Sequence, residues 1–246
     1  MSASAKTRLD QLMVQRGLTR SRSHARDLIK RGKVRHGDRI AAKPGEMVDV
    51  GCAIHIDEDT GAVGRGTHKL TAALAAFAVQ VADRVAVDVG ASTGGFTQVL
   101  LQQGASRVYA IDVGHDQLAP ELREDRRVIN MEGLNIRDGA ALPEKASIAV
   151  ADLSFISLRL ILGAIADLVT EDGDMILLVK PQFEAGPGGV NHRGVVASAT
   201  RQRDILDAFL AWCGQQGWWC HGTVDSPIAG KTGNREFLVH LKRDKP

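Results

Sequence analysis

Four polar residues, Lys69, Asp152, Lys180 and Glu236, have the types and sequence neighbours needed for proton transfer. Lys180 gives the sharpest signal. It follows the apolar run Met175-Ile176-Leu177-Leu178-Val179 and precedes Pro181, which puts an amine at the carboxyl edge of a buried strand, where open α/β sheets bind ligands. Asp152 also lies just past a strand-like run, Lys69 opens a helical stretch, and Glu236 sits close to a carboxy-terminal strand. A partly desolvated lysine can take a proton from a poor nucleophile such as a ribose hydroxyl, helped by a neighbouring positive charge. Each residue alone has an ordinary explanation, because surface Lys and Glu are usually solvated and an Asp after a strand is often a helix cap. Together they point to a division of labour: Lys180 as base, Asp152 orienting it, and Lys69 with Glu236 tuning charge and positioning the hydroxyl.

Such a base needs an electrophile beside it. Asp88-Val89-Gly90-Ala91-Ser92-Thr93-Gly94-Gly95-Phe96-Thr97 joins an apolar strand to an amphipathic helix. Its glycines permit a tight turn and close approach of a ligand to the backbone, and the helix amides offer hydrogen bonds. Asp112, 22 residues after Gly90, ends the next strand and can accept hydrogen bonds from a ribose diol. To this point a dinucleotide and S-adenosyl-L-methionine fit equally. Ser92 then breaks the GxGxxG dinucleotide fingerprint, and Asp88 directly before the turn suits the cationic amino acid end of S-adenosyl-L-methionine. The candidate cofactor contacts are therefore Asp88, Gly90, Ser92, Gly94 and Asp112. Leu134 and Asn135, near the expected end of a third strand, either frame the adenine or belong to a surface loop. An Asp152-Leu153-Ser154-Phe155 segment without prolines argues against amino-group methylation, and neither Cys213 nor Cys220 follows a strand as a carbon-5 nucleophile requires. No metal is needed.

These residues must be positioned by alternating elements. The pattern predicts helix at Lys69–Phe77, strand at Val85–Val89, helix at Phe96–Gln103, strands at Val108–Val113 and Ile148–Ala151, helix at Leu158–Thr170, strand at Met175–Val179 and helix at Thr200–Gln215. That alternation implies an α/β, Rossmann-like, doubly wound sheet with mainly parallel strands over residues 68–246. An acidic and then glycine-rich stretch precedes it, read as a linker over residues 61–67. His192, with Arg193, lies in a glycine-rich loop and reads first as a surface residue, although such a loop can also close over RNA.

Residues 1–60 have a different character. Twelve Lys/Arg stand against five acids in residues 1–55, although the whole chain carries only +2, which suggests that this piece meets a polyanion. Helical spacing is expected from Arg8 to Arg16 and from Ser21 to Arg31, the second helix carrying Arg22, Arg26 and Lys30 along one face. Short strand-like pieces follow at Val34–Ile40 and Ala53–Asp57. A solvated charged face and an RNA-binding face explain the helix equally well. The order Arg8-Leu9-Asp10, Ser21-Arg22-Ser23-His24-Ala25-Arg26-Asp27-Leu28-Ile29 and Gly32-Lys33-Val34 resembles the S4 RNA-binding domain, a small α+β module. It implies structured RNA as partner, with Arg8, Arg20, Arg22, Arg26, Lys30, Arg31 and Lys33 as candidate contacts.

His68-Lys69-Leu70, the Asp88–Thr97 turn, Asp112-Val113-Gly114, Asp152-Leu153-Ser154-Phe155, Lys180-Pro181-Gln182-Phe183-Glu184 and Asn234-Arg235-Glu236-Phe237 together resemble the TlyA family. That resemblance implies an S4 domain joined to an FtsJ-like methyltransferase whose Lys-Asp-Lys-Glu tetrad maps to Lys69, Asp152, Lys180 and Glu236. It also implies 2′-O-methylation of cytidine in ribosomal RNA, on the large subunit and in some members on the small subunit. Members are described as haemolysins too. The rival readings are an assembly factor that binds RNA without catalysis and a membrane-acting protein. The sequence has no apolar stretch long enough to span a bilayer and no signal-peptide core at its start, and its three cysteines form no CxxC pair. A cytoplasmic protein is expected.

Overall fold

Apolar residues three and four apart on two short helices build the core of the first unit. The computed structural model describes residues 6–19, 21–30, 32–37, 39–56, 63–230 and 233–244, with the backbone alone for Ser23, His24, Asp27 and Lys30. The chain divides into two units, Met1–Ala62 and Val63–Pro246. In the first, β1 (Lys6–Arg8) leads into α1 (Leu9–Gln15), followed by α2 (Arg22–Lys30), β2 (Val34–His36), β3 (Arg39–Ile40), β4 (Met47–Asp49) and β5 (Ile54–Ile56). Leu9, Leu12 and Met13 of α1 and Ala25, Leu28 and Ile29 of α2 are buried in one cluster with Val34 and Val48. β1 pairs with β4, while β2 pairs with both β3 and β5, all antiparallel. The expected strand-like piece Val34–Ile40 is thus a hairpin, turned at Gly37, whose φ of 58° suits a residue without Cβ.

The second unit begins with α3 (Gly66–Phe77), so Gly66 and Thr67, expected in the linker, are its first helical residues. β6 (Val85–Val89), α4 (Gly95–Gln102), β7 (Arg107–Asp112), α5 (Pro120–Arg123), β8 (Val128–Glu132), β9 (Ala146–Ala151), α6 (Leu162–Ala166), β10 (Val169–Val179), α7 (Pro181–Glu184), α8 (Ala199–Gln215), β11 (Trp219–Asp225) and β12 (Phe237–Lys242) follow. The sheet order is β11-β12-β10-β9-β6-β7-β8. β6 to β10 pair in parallel wherever they are neighbours, and β12 runs antiparallel between β10 and β11. Buried residues of α3, α4 and α5 pack on one sheet face, and those of α6 and α8 on the other. The sheet is Rossmann-like. Its strand order reverses between β6 and β9, which opens a crevice at their carboxyl ends.

One expected helix, Leu158–Thr170, is broken. A 3-10 turn at Leu158–Leu160 and the single turn of α6 are followed by β10, which starts at Val169 by pairing with Ala146. Apolar residues run through this stretch without a clean helical period, and β-branched Val169 and Thr170 favour the sheet. The ladder then shifts register between Val169 and Asp174 around Gly173, where a Cβ would stand 3.0 Å from the carbonyl oxygens of Ser147 and Thr170. Among the described residues no helix is long and apolar enough to cross a membrane.

Candidate active site

The crevice is where the four predicted polar residues meet. Asp152 follows β9, Lys180 follows β10 and caps α7, and Lys69 lies in the first turns of α3. Because β12 is antiparallel, its amino end reaches the same sheet edge and delivers Glu236. The Lys180 Nζ stands 2.7 Å from Asp152 Oδ1, and the Lys69 Nζ 3.3 Å from Asp152 Oδ2. Lys69 also donates to Glu236 Oε2 at 2.7 Å, and Lys180 donates to the Ser154 hydroxyl oxygen at 2.8 Å. Two amines and two carboxylates therefore form one continuous chain. Lys69, Lys180 and Glu236 are buried, where water screens their charges little.

Glycines bring these elements together. A Cβ on Gly95 would stand 3.2 Å from Gly66 Cα and Thr67 N, so the amino ends of α3 and α4 touch through two glycines and Lys69 is carried to the crevice. At Gly90, whose φ is 83°, a Cβ would stand 2.8 Å from Leu153 Cδ2 and 3.1 Å from the Asp152 carbonyl. The turn and the Asp152 segment thus fit against each other, and the Asp152 amide donates to the Val89 carbonyl.

A cavity of about 540 Å³ lies between the turn and the tetrad. All four tetrad residues line it, as do Gly90 and Ser92. Gly64, Arg65 and Gly66 form another part of its wall. Ser154, Phe155 and Phe183 line it too, with the two phenyl rings 5.5 Å apart and Phe155 91% exposed. Sequence reasoning left Arg65 in a linker and assigned nothing to Ser154 or Phe155. The one available signal for Ser154 was its place two residues beyond Asp152.

Other expected cofactor contacts lie off this cavity. Asp112, half-buried at the end of β7, accepts from the Ser92 amide at 2.8 Å and the Gly114 amide at 2.7 Å. Asp88 is fully buried beneath the turn, with Oδ2 accepting from the Thr97 hydroxyl at 2.7 Å; burial pushes its carboxyl up to about 7. Its Oδ1 is buried and meets no partner among the described residues. Gly94 is a packing position, since a Cβ there would collide with Leu118 and Leu122. Leu134 donates its amide to the Asp112 carbonyl and packs against the core, and the Asn135 side chain caps a 3-10 turn by accepting from the Arg137 amide. Glu132, ahead of them, accepts from the amides of Leu118, Gln117 and Asp116, which hold its carboxyl down at about 2.

In the first unit, Arg8, Arg22 and Arg26 all donate to one buried carboxylate, Asp10, at 3.0–3.2 Å. The Arg8 guanidinium and its two companions hold that carboxyl well below the usual carboxylate range. The three guanidinium groups stay partly exposed. Lys33 is half-buried ahead of β2 and takes no part in this cluster. Arg20 and Arg31 lie outside the described residues, as does the side chain of Lys30. Among the described residues no cluster of His, Cys, Asp and Glu is arranged to hold a metal ion.

Residues 62–243 match the FtsJ-like methyltransferase family, and residues 7–53 match the S4 domain. The 16S/23S rRNA (cytidine-2′-O)-methyltransferase TlyA of Mycobacterium tuberculosis is 44% identical over 96% of this chain and 90% of its own length. A solved Streptococcus thermophilus protein that bears the name hemolysin is 42% identical, with a TM-score of 0.75 over 99% of this chain and 91% of its own. A solved Listeria monocytogenes protein that bears the name S-adenosylmethionine-dependent methyltransferase shares the fold at 14% identity, with a TM-score of 0.53 over 73% of this chain and 98% of its own. An S4 match, an FtsJ-like match and near full-length identity to TlyA converge: this chain is a methyltransferase of the TlyA family.

Proposed function

We propose that the protein is a cytoplasmic enzyme that methylates the 2′-hydroxyl of a cytidine in ribosomal RNA, using S-adenosyl-L-methionine. Large-subunit RNA is the first candidate substrate and small-subunit RNA the second; the M. tuberculosis relative is a methyltransferase of both 16S and 23S rRNA. The observation that carries the reading is the continuous chain Lys180–Asp152–Lys69–Glu236 on the wall of one cavity with the glycine turn.

The donor set fits S-adenosyl-L-methionine. Gly90 and Ser92 of the turn line the cavity beside the tetrad, and Asp112, half-exposed at the end of β7, carries a carboxylate with acceptor capacity to spare. When bound, the cofactor supplies an electrophilic methyl group on a sulfonium. Lys180 then accepts the proton of the ribose hydroxyl at Nζ as the hydroxyl oxygen attacks. Asp152 fixes Lys180 through Oδ1 and Lys69 through Oδ2. Lys69 is held between two carboxylates, whereas Lys180 meets one carboxylate and one neutral hydroxyl. Phe155 and Phe183 offer an apolar ledge beside the cavity on which a base can lie.

Partly exposed guanidinium groups around Asp10 suit phosphate contacts, which supports structured RNA as the partner of the first unit. Calorimetry with S-adenosyl-L-methionine, followed by transfer of a labelled methyl group to ribosomal subunits, tests the proposal. Binding and transfer are expected; a folded protein that binds no cofactor would instead be an assembly factor. The hemolysin name of the S. thermophilus protein motivates one further control. Purified protein should release no dye from liposomes.

A further inference from the structure

We propose that Ser154 is a positioning residue for Lys180, aiming the amine at the ribose hydroxyl. The inference rests on Lys180 being the base.

A lysine nitrogen has three tetrahedral directions besides its bond to Cε. One of them is fixed by a hydrogen bond: Ser154 Oγ accepts from Nζ at 2.8 Å, while Asp152 Oδ1 holds the nitrogen as an ion-pair partner 2.7 Å away. The ion pair sets where the nitrogen sits, and the directional hydrogen bond to Ser154 sets how it is turned. Lys180, Asp152 and Ser154 line the same cavity, so a nitrogen held in this way has substrate space to face. With Asp152 alone, the nitrogen would rotate about its Cε–Nζ bond and its lone pair would sweep a cone. A misdirected base is slow even when its proton affinity is right.

The chemistry of the second acceptor matters as much as its place. A serine oxygen is neutral and satisfies an N–H without holding the nitrogen as an ammonium ion. A carboxylate at that position would do the opposite. Lys69, with carboxylates on both sides, illustrates the contrast within the same cavity.

The fold also fixes Ser154 relative to Lys180. Glu184, in the short helix that starts directly after Lys180, accepts from the Ser157 hydroxyl at 2.7 Å and from the Leu158 amide at 2.7 Å. This clamp ties the segment bearing Asp152 and Ser154 to the segment bearing Lys180. The Phe155 and Phe183 rings meet between the same two segments. Ser154 itself is solvent-exposed, so changing it leaves the core intact.

The test uses the full-length chain, a labelled methyl donor, and large ribosomal subunits purified from cells that lack the protein. Ser154→Ala is expected to lower kcat about tenfold or more, the size of a lost alignment, with KM for both substrates and the melting temperature unchanged. Ser154→Thr, which keeps the hydroxyl, should recover most of that loss. Ser154→Asp should lower kcat below the alanine variant by holding Lys180 charged. Wild-type kcat in Ser154→Ala, a loss confined to KM, or a threonine variant no better than alanine would each overturn the inference. Lys180→Ala is run in parallel: if it is inactive while Ser154→Ala is unaffected, only this inference fails, whereas a fully active Lys180→Ala removes the base reading itself.

Discussion

In the first unit three guanidinium groups converge on one buried carboxylate, whereas in the second two ammonium groups share two carboxylates. The counts of opposite charge decide what each cluster can do. Asp10 cancels one of three positive charges and orients all three, so a net positive, partly exposed face remains, of the kind that suits phosphate groups. The tetrad is balanced and mostly buried, so its charges act on one another and on whatever enters the cavity. Surplus charge at a surface gives attraction that salt can screen; balanced charge in a mostly buried cluster gives alignment that salt touches less.

The sharpest way to break this contrast is Lys180→Ala. It should reduce methyl transfer by about 10²–10⁴-fold, the range for a lost general base, while calorimetric S-adenosyl-L-methionine binding persists. Loss of donor binding together with activity would mean that Lys180 supports the pocket and not the chemistry. Next in size, Arg22→Glu combined with Arg26→Glu should weaken RNA binding by tenfold or more and flatten its salt dependence by about two units of slope, because each phosphate contact releases a counterion. An unaltered slope would take these arginines out of the interface. The same double variant should leave donor binding untouched.

Two predictions sharpen the comparison through pH. Asp10→Ala should destabilise the first unit by about 1–3 kcal/mol, since charge-assisted bonds from partly exposed arginines are lost. The Asp10 carboxyl is depressed by Arg8, Arg26 and Arg22, so its contribution is present above the ordinary aspartate value near 4 and fades as pH falls below it. Denaturant melts at pH 7 and pH 3 check this: the wild-type advantage over the variant should shrink in acid. Asp88 has the opposite sign. Burial raises its carboxyl to about 7, so its neutral form favours folding at low pH and that support is lost as pH rises from about 4 through 7. Asp88→Asn should flatten stability over that window, and an unchanged pH profile would show that Asp88 ionises freely in the native state. The smallest effect is expected at Asn135→Ser, which keeps a capping oxygen and should change stability by about 0.5 kcal/mol or less. A large drop in donor affinity there would restore Asn135 as an adenine contact.

Legibility in the sequence followed the range of the determining interactions. The strands around Asp88, Asp112, Asp152 and Lys180 were legible because short apolar runs ending in a polar residue specify a buried parallel strand and its ligand edge locally. Asp152 and Lys180 could be named for the same reason, whereas Lys69 on a helix and Glu236 ahead of β12 rest on the family resemblance, and none of the four residues' hydrogen bonds was legible. The break at Leu158–Thr170 was hidden, because Val169 becomes strand by pairing with Ala146, a partner the local pattern does not reveal. Gly64 and Gly66 read as linker residues, yet both lie against the glycine turn and the start of α4, where a Cβ would stand 2.8 Å from Thr93 Oγ1 and 3.3 Å from Phe96 respectively. Helical spacing put Arg22 and Arg26 on one face of α2. That Asp10 of α1 would sit at their centre depends on how the two helices pack, which spacing alone does not give.

The central claim is that the balanced cluster performs ribose methylation. Mass-spectrometric mapping of ribosomal RNA from cells lacking the protein, complemented with wild type or with Lys180→Ala, tests it most directly. A 2′-O-methylcytidine restored by the wild type and absent with the variant is the expected result. A methylation map identical in all three strains, or a mark restored equally by Lys180→Ala, would contradict the account.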